Sequence, residues 1–393
     1  MPQGTFGTPE GVAEQFYASA ETTFGTMVKP TAADALRVIQ TTFTPAQERV
    51  NRRDKRNSRS VSERITRKKS AEWSVTTYAL PSGTAGTAPD CGALLEALFG
   101  GHTNTPATSD VYTLARDISK SFSFHRIYGD AIAESLIGGV VNKGVFRFKG
   151  EEECEIELSG PAADWVRTSQ TTLTSSAASG ATTIVVDDDY SLAVNSVIKI
   201  GTEDNSGAGF KVTAWNETTN TATIEAALGS DVSAAAEVVP FFPTPTTTGD
   251  PLGCITGSLT LDSDTYYVTE FEITLDNVAK LRNDEFGQET ARGYSGSGFR
   301  QVTFSGTMYL ESESVGGSNK NVWIPGKSES FANVAIVIQA GDTAGDIMKI
   351  EMPTAEFDIV PLNVPEEEAI TFELSGQGIA PITAESEISM TWQ

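Results

Sequence analysis

Short runs in which every second residue is apolar recur along the whole chain, and a period of two commits it to β-structure. Trp73, Val75 and Thr77 alternate with Glu72, Ser74 and Thr76. Cys154, Ile156 and Leu158 alternate with Glu153, Glu155 and Glu157. Phe271, Ile273 and Leu275 alternate with Glu270, Glu272 and Thr274, and Ile370, Phe372 and Leu374 with Thr371, Glu373 and Ser375. Each run reads as a strand with one face to a core and one to water. Helix signals are few. Asp90 to Phe99 has a capping Asp90, an apolar stripe of Leu94, Leu95, Leu98 and Phe99, and a Gly100-Gly101 stop. A second candidate, Thr31 to Ile39, opens on Thr31 after Pro30 and would turn Leu36 and Ile39 inward.

With 393 residues, 39% of them hydrophobic, the chain has material for two or three domains with real cores. No apolar run approaches the ~18 residues of a membrane span. The segment Met1 to Phe6 lacks the basic and apolar regions of a secretory signal. Cys91, Cys154 and Cys254 are odd in number and far apart, so neither a disulfide framework nor a zinc knuckle is expected, and free core thiols are. With His102 and His125 the only histidines, histidine metal sites and His-dependent hydrolysis are poorly supplied.

Charge is unevenly spread. The net is −24: residues 1–168 carry 19 basic and 20 acidic side chains, residues 169–246 carry 2 and 9, and residues 247–393 carry 7 and 23. Arg49 to Lys69 is the exception, with ten basic residues against Asp54 and Glu63. So acidic a chain repels phosphate and should not coat nucleic acid.

Residues 169–248 change character, becoming rich in Thr, Ala, Ser and Gly around strand-like runs at Thr183 to Val186, Ser196 to Ile200, Phe210 to Ala214 and Thr221 to Ala226. Turns fall at Asn205-Ser206-Gly207 and Asn216 to Asn220. Pro240, Pro243, Pro245 and Pro251 read as a stiff exit linker. Such an inserted module should project outward and be removable.

Setting the module aside exposes a repeat. A strand ends near Phe43 and resumes at Trp73; another ends near Ile273 and, past Asn277 to Arg300, resumes at Val302 to Leu310. Each half then closes on Glu-Leu-Ser-Gly, at Glu157 to Gly160 and Glu373 to Gly376. Matching order makes duplication the expectation.

Catalytic motifs do not assemble. Gly326-Lys327-Ser328 lacks the upstream glycine of a phosphate loop, where Asn321 stands, and Pro325 has no N–H to offer. Gly293-Tyr294-Ser295-Gly296-Ser297 lacks the last glycine of a nucleophile elbow and reads as a flexible loop. Asp187-Asp188-Asp189 lacks calcium-loop spacing, and Glu366-Glu367-Glu368 reads as a charged strand approach. His102 reads as a loop residue, and His125, opposite Phe122 and Phe124 in face, as an exposed pairing residue. No nucleophile, base and orienter set forms, so neither enzymatic activity nor a cofactor is expected.

The segment Glu21 to Thr26, Pro30 and the run into Phe43-Thr44-Pro45 resembles the opening of long-tailed phage major tail tube proteins. The polar excursion resembles their stacking arm, and the helix at Asp90 to Phe99 the one flanking their β-sandwich. Asp346 to Pro353, Val360-Pro361 and Ile370 to Gly376 are similar to their closing strands, and the inserted module to small β decorations of tail exteriors. The resemblance covers most of residues 10–168 and 250–390.

It implies a mainly β protein: a first tail-tube-type β-sandwich or barrel domain at 1–168 with a short flanking helix, a small all-β domain at 169–248, and a second tube domain at 249–393. It implies trimeric rings with pseudo-sixfold symmetry stacked into a tube, in a virion tail assembled in the host cytoplasm, without membrane insertion. The implied partners are other copies, the tape measure protein, the terminator, the distal tail proteins and DNA in transit. A baseplate or terminator component and a β-sandwich carbohydrate-binding adhesin are the alternatives.

Two sets of residues would carry assembly. Glu153, Glu155 and Glu157 either line the channel and repel DNA toward its axis or form an ordinary outer face. The arm residues Arg49, Arg52, Arg53, Lys55, Arg56, Arg59, Arg64, Arg67, Lys68 and Lys69 either pair with acidic surface on a neighbouring subunit, stay solvated, or touch DNA. Pairing is favoured by the −16 half of the same chain and by the forked geometry of guanidinium on carboxylate.

Overall fold

A computed structural model describes residues 14–55, 57, 59–61, 63–188, 190–247, 249–309, 334–358, 362–363, 369–380 and 385–393. Arg56, Asp189, Leu310, the Gly326-Lys327-Ser328 sequence, Val360-Pro361 and Glu366 to Glu368 lie outside them. The fold is mainly β, with one α-helix among the described residues.

The alternating runs build one long antiparallel sheet. Its path includes, in spatial order, Gln40–Asn51, Arg64–Tyr78, Glu155–Ala162, Lys143–Lys149, Glu270–Asp276, Gln301–Tyr309 and Thr371–Gly378, with Leu362–Asn363 pairing on that last strand. The central seam joins Lys143–Lys149 to Glu270–Asp276, with Phe146 opposite Ile273 and Arg147 opposite Glu272.

The four strands on either side of that seam run in the same order with the same register. Gly160 lies opposite Trp73, which lies opposite Phe43; Gly376 lies opposite Phe304, which lies opposite Ile273. Phe146 faces Ile156 as Leu362 faces Phe372. Ser159 accepts from the Asn142 amide at 2.9 Å, and Ser375 from the Asp358 amide at 2.8 Å. The matching residue to Trp73 is therefore Phe304, two beyond the Val302 expected from spacing and on the same face.

Each set of strands is backed by a second layer. On the first it runs Asp164–Ser169, Ile132–Gly139, Phe122–Tyr128, Glu14–Ala20, Ala35–Leu36. On the second it runs Ser389–Trp392, Met348–Phe357, Val334–Ala340, Ser258–Leu261, Asp264–Tyr266. Between the first pair of layers Trp73 meets Phe124 at 4.0 Å between ring centroids, with Phe16 and Phe43 beside them. Such ring pairs add about 0.5–1.5 kcal/mol beyond area burial. In the second, Phe304 lies between Phe271 and Phe357. Met348–Phe357 also pairs with Thr371–Gly378 through Ala355 and Gly378, so the second pair of layers is linked like a barrel.

The helix is Gly92–Phe99, with Cys91 rather than Asp90 at its cap and no side-chain capping bond. Gly100 ends it at φ 87°, where a Cβ would also approach the Ala115 Cβ at 2.9 Å. It packs Leu98 against Gly144, leaving no room for a side chain there. The hairpin that follows, Gly100–Thr105 with Ser109–Leu114, pairs with Ser389–Trp392 and so joins the second set's outer layer to the first half of the chain.

Residues 171–240 form a six-stranded sheet around their own core of Ile184, Ile198, Ile200, Phe210, Val212 and Ile224 among others. It stands against the outer face of the five-stranded layer. There Tyr17, Met27, Ile127 and Val166 share one buried cluster with Val197 and Phe242. The proline-rich exit is thus not a free linker. Phe242 packs on Tyr17, Pro243 accepts the Tyr17 hydroxyl, and Thr246 donates to the Ala32 carbonyl.

Other sequence expectations give way. The strand at Phe43 continues to Asn51 and its partner starts at Arg64, because the cross-strand ladder persists past a bulge at Gln47/Arg49. Thr31 to Ile39 is not an α-helix. Thr31 and Asp34 form a capping box over a 3-10 turn at Ala32–Asp34, and Ile39 is exposed. Tyr294–Gly296 is a short strand paired with Ala279–Leu281, not a flexible loop. His102 lies in a strand and bonds Asp110 at 2.7 Å. His125 is fully buried, between the Val28 carbonyl at 2.9 Å and the Ser135 hydroxyl at 2.8 Å, against Phe242.

Candidate assembly surface

Two surfaces remain once the cores are assigned: the polar face of the long sheet, and the arm with the loops beside it. The polar face follows from alternation. Residues between the core positions point away from both second layers, and cross-strand register places Glu72, Glu155, Glu157, Glu270, Glu272, Asp276 and Glu373 on it, with Lys143, Arg147 and Lys149. Thr and Ser fill much of the remainder. Arg147 sits at the seam, 2.6 Å from Glu157 and 3.0 Å from Glu272, and Lys149 is 2.8 Å from Glu152. Arg147 and Lys149 are thus already held by carboxylates. Glu155 and Glu157 lie on it as sequence alternation suggested. Glu153 does not belong to the strand: it forms an isolated bridge with Gly253 and is exposed.

The arm is a long β-hairpin, paired from Gln40 with Thr76 out to Asn51 with Arg64. The ladder orders much of this polar excursion within the chain. Arg52 is 2.8 Å from Asp54 and 3.0 Å from Glu63, and Arg67 is 3.3 Å from Glu48. Arg64 donates to the Arg49 carbonyl at 3.2 Å. Lys69 is 3.3 Å from Asp164 and lies over the Trp165 ring. Lys68 donates to the Glu285 carbonyl, and the Lys69 amide to the Glu289 carbonyl. The arm base is therefore braced on the second excursion, with a cleft between them. Arg53, Lys55 and Arg59 are exposed and make no ion pair among the described residues. Exposed pairs of this kind contribute only ~0.2–1 kcal/mol each.

Alternation did not single out the exposed apolar residues of the arm and the second excursion. Phe286 and Phe299 are exposed at 103% and 94%, and Val61 and Ile65 at 62% and 56%. An exposed aromatic at a loop tip outside any periodic run was the available signal.

Three buried groups depart from their ordinary titration range. Burial lowers His125 to about 4, raises the Cys91 thiol to about 12 and raises Tyr17 to about 12, and none of the three faces a second catalytic group. Among the described residues no cluster of three His, Cys, Asp or Glu side chains could hold a metal, and no helix is long and apolar enough to cross a membrane. One pair departs from the expectation of isolated thiols: Cys154 Sγ and Cys254 Sγ lie 2.9 Å apart.

No curated protein matches the chain. The model of a family described as phage tail tube protein matches residues 11–389.

Proposed function

The chain belongs to the phage tail tube protein family, and we propose on that premise that three copies close into a ring whose channel is lined by the polar face of the long sheet. It is a structural, non-enzymatic component of the virion tail, assembled in the host.

The observation that carries the ring is the seam. Within one chain the fourth strand of the first set, Lys143–Lys149, pairs with the first strand of the second, Glu270–Asp276. The same register leaves Leu362–Asn363 as the fourth strand of the second set and Gln40–Asn51 as the first strand of the first. These two edges are related as the two sides of the seam. An open edge with unpaired backbone groups invites a partner, and head-to-tail contacts that repeat through a closing rotation make a ring. Three chains of eight strands would close a barrel in which each chain supplies two tube units: residues 1–168 and 249–393, with 169–248 outside. Transferring the seam register places Thr42 of one chain opposite Asn363 of the next, as Glu272 stands opposite Arg147.

The polar face suits a channel that must pass DNA without holding it. Each cation free to meet phosphate adds salt-dependent affinity, and Arg147 and Lys149 are occupied by Glu157, Glu272 and Glu152. The arm, with Arg53, Lys55 and Arg59 making no ion pair among the described residues and its base braced on the second excursion, is the stacking surface for the next ring. Tape measure, terminator and distal tail proteins are its further partners.

A chain carrying Thr42→Cys and Asn363→Cys tests the ring. Opposed residues in an antiparallel pair have Cα atoms ~4.5–5.5 Å apart, within disulfide reach. Oxidised tubes should resolve into covalent species ending at three chains. A ladder reaching six chains, or no cross-link in assembled tubes, overturns the trimer.

A further inference from the structure

We propose that Cys154 and Cys254 form a redox-dependent disulfide that closes the chain loop carrying the inserted domain. The two thiols lie 100 residues apart in sequence and 2.9 Å apart in space. A short antiparallel contact brings them together. The Cys154 amide donates to the Leu252 carbonyl at 2.8 Å, the Cys254 amide to the Glu152 carbonyl at 3.1 Å, and Glu153 bridges Gly253 between them. A disulfide has an S–S length of about 2.05 Å, so closing the bond needs less than an ångström of sulfur movement.

Position and access favour these two over the third cysteine. Cys154 is fully buried just before the Glu155–Ala162 strand, and Cys254 is half-buried in the 3-10 turn Cys254–Thr256, past the inserted domain. Cys91 is buried behind the helix start, and its thiol is held neutral by burial. Either sulfur can donate in this contact, and donation by the Cys154 thiol lowers the Cys254 pKa, which favours the Cys254 thiolate as the attacking group.

The chemistry is exchange with a low-molecular-weight disulfide. Cys254 Sγ attacks one sulfur of the reagent, the reagent S–S bond breaks, and one thiol leaves. Cys154 then attacks Cys254 Sγ, its proton passing to the departing thiolate; the mixed disulfide breaks and the second thiol leaves. The protein is oxidised by two electrons, and one reagent disulfide is reduced to two thiols. Glu152 and Glu153 beside the pair disfavour an anionic reagent. The oxidant of choice is therefore neutral, such as bis(2-hydroxyethyl) disulfide. In a reducing cytoplasm the pair stays open, and exposure to an oxidising medium closes it.

The full-length chain, incubated with bis(2-hydroxyethyl) disulfide, is denatured, its thiols are counted and the cross-link is mapped by peptide mass. The expected result is loss of two of three titratable thiols, loss of the mass of two hydrogen atoms, and one Cys154–Cys254 peptide. A cut within residues 169–248 should then leave the fragments joined until reduction. Cys154→Ser should stop at a mixed disulfide on Cys254, and Cys254→Ser should react at neither remaining thiol. Retention of all three thiols, accumulation of the mixed disulfide in the unaltered chain, or a cross-link to Cys91 overturns the proposal. Mapping on the unaltered chain decides the matter even if a serine variant fails to fold.

Discussion

Gly160 and Gly376 meet the same obstacle in the two halves of the long sheet: a Cβ on the first would lie 2.0 Å from the Val140 carbonyl oxygen, and on the second 2.1 Å from that of Glu356. Both are the last residue of Glu-Leu-Ser-Gly. The glycine lets the strand edge pass close to the chain crossing between layers, which explains why the same residue closes both sequences.

Gly160→Ala and Gly376→Ala should therefore each destabilise the subunit, by about 1–3 kcal/mol or more, since the obstacle is backbone. Gly150→Ala, where the nearest atom is the Thr269 carbonyl at 3.7 Å, should be close to neutral. Urea unfolding of the three variants checks the ordering.

The arm should act between subunits. Arg53→Glu with Arg59→Glu removes no ion pair seen among the described residues, so the thermal midpoint of the subunit should be unchanged. Tube growth, followed by light scattering without DNA, should fall at least tenfold. Added salt should slow the unaltered protein in the same direction, because exposed charge pairs are screened. Normal growth of the double variant, or growth that requires DNA, contradicts this.

His125 should make the subunit acid-sensitive. Its pKa is about 4 in the folded chain, lowered by burial from 6.5. The unfolded chain thus binds the proton first as pH falls. The stability is fully present above pH 6.5 and is lost between there and about pH 4, at up to ~1.4 kcal/mol per pH unit. Unfolding free energies at pH 7, 5.5 and 4.5 should show the decline, and His125→Gln should flatten that part of it.

Removing the inserted domain should depend on where the cut ends. Deleting 171–239 keeps Phe242 against Tyr17 and Thr246 on Ala32, and should give tubes with a lowered thermal midpoint. Extending the deletion through 248 also strips Phe242 from a buried cluster, a loss of about 3–5 kcal/mol for a large aromatic. That longer deletion should fail to yield folded subunits. Electron microscopy and thermal unfolding of the pair distinguish the outcomes.

Strand identity was legible from single residues, because a half-buried strand writes its two faces into alternate positions. Trp73 and Val75, Ile156 and Leu158, and Phe271 and Ile273 all proved to be core positions, and Gly100 marked the helix end. The paired Glu-Leu-Ser-Gly sequences were visible for the same reason: a local steric need fixes a local residue. What lies opposite a strand is a long-range property. Alternation is unchanged by a two-residue slide, so spacing alone matched Trp73 with Val302 where the ladder matches it with Phe304. His125 read as exposed because its face of the sheet looked wet. The inserted domain and Phe242 cover that face, and a bulge between Phe122 and Phe124 shifts the register beside it. The arm read as open chain because a ladder between polar residues leaves no hydrophobic period to detect. Cys154 and Cys254 meet only because the chain, after the inserted domain, comes back beside residues 152–154. Local alternation determined which segments are strands; only tertiary packing decided their neighbours, since burial on the second face and pairing across a seam depend on residues a hundred or more positions away.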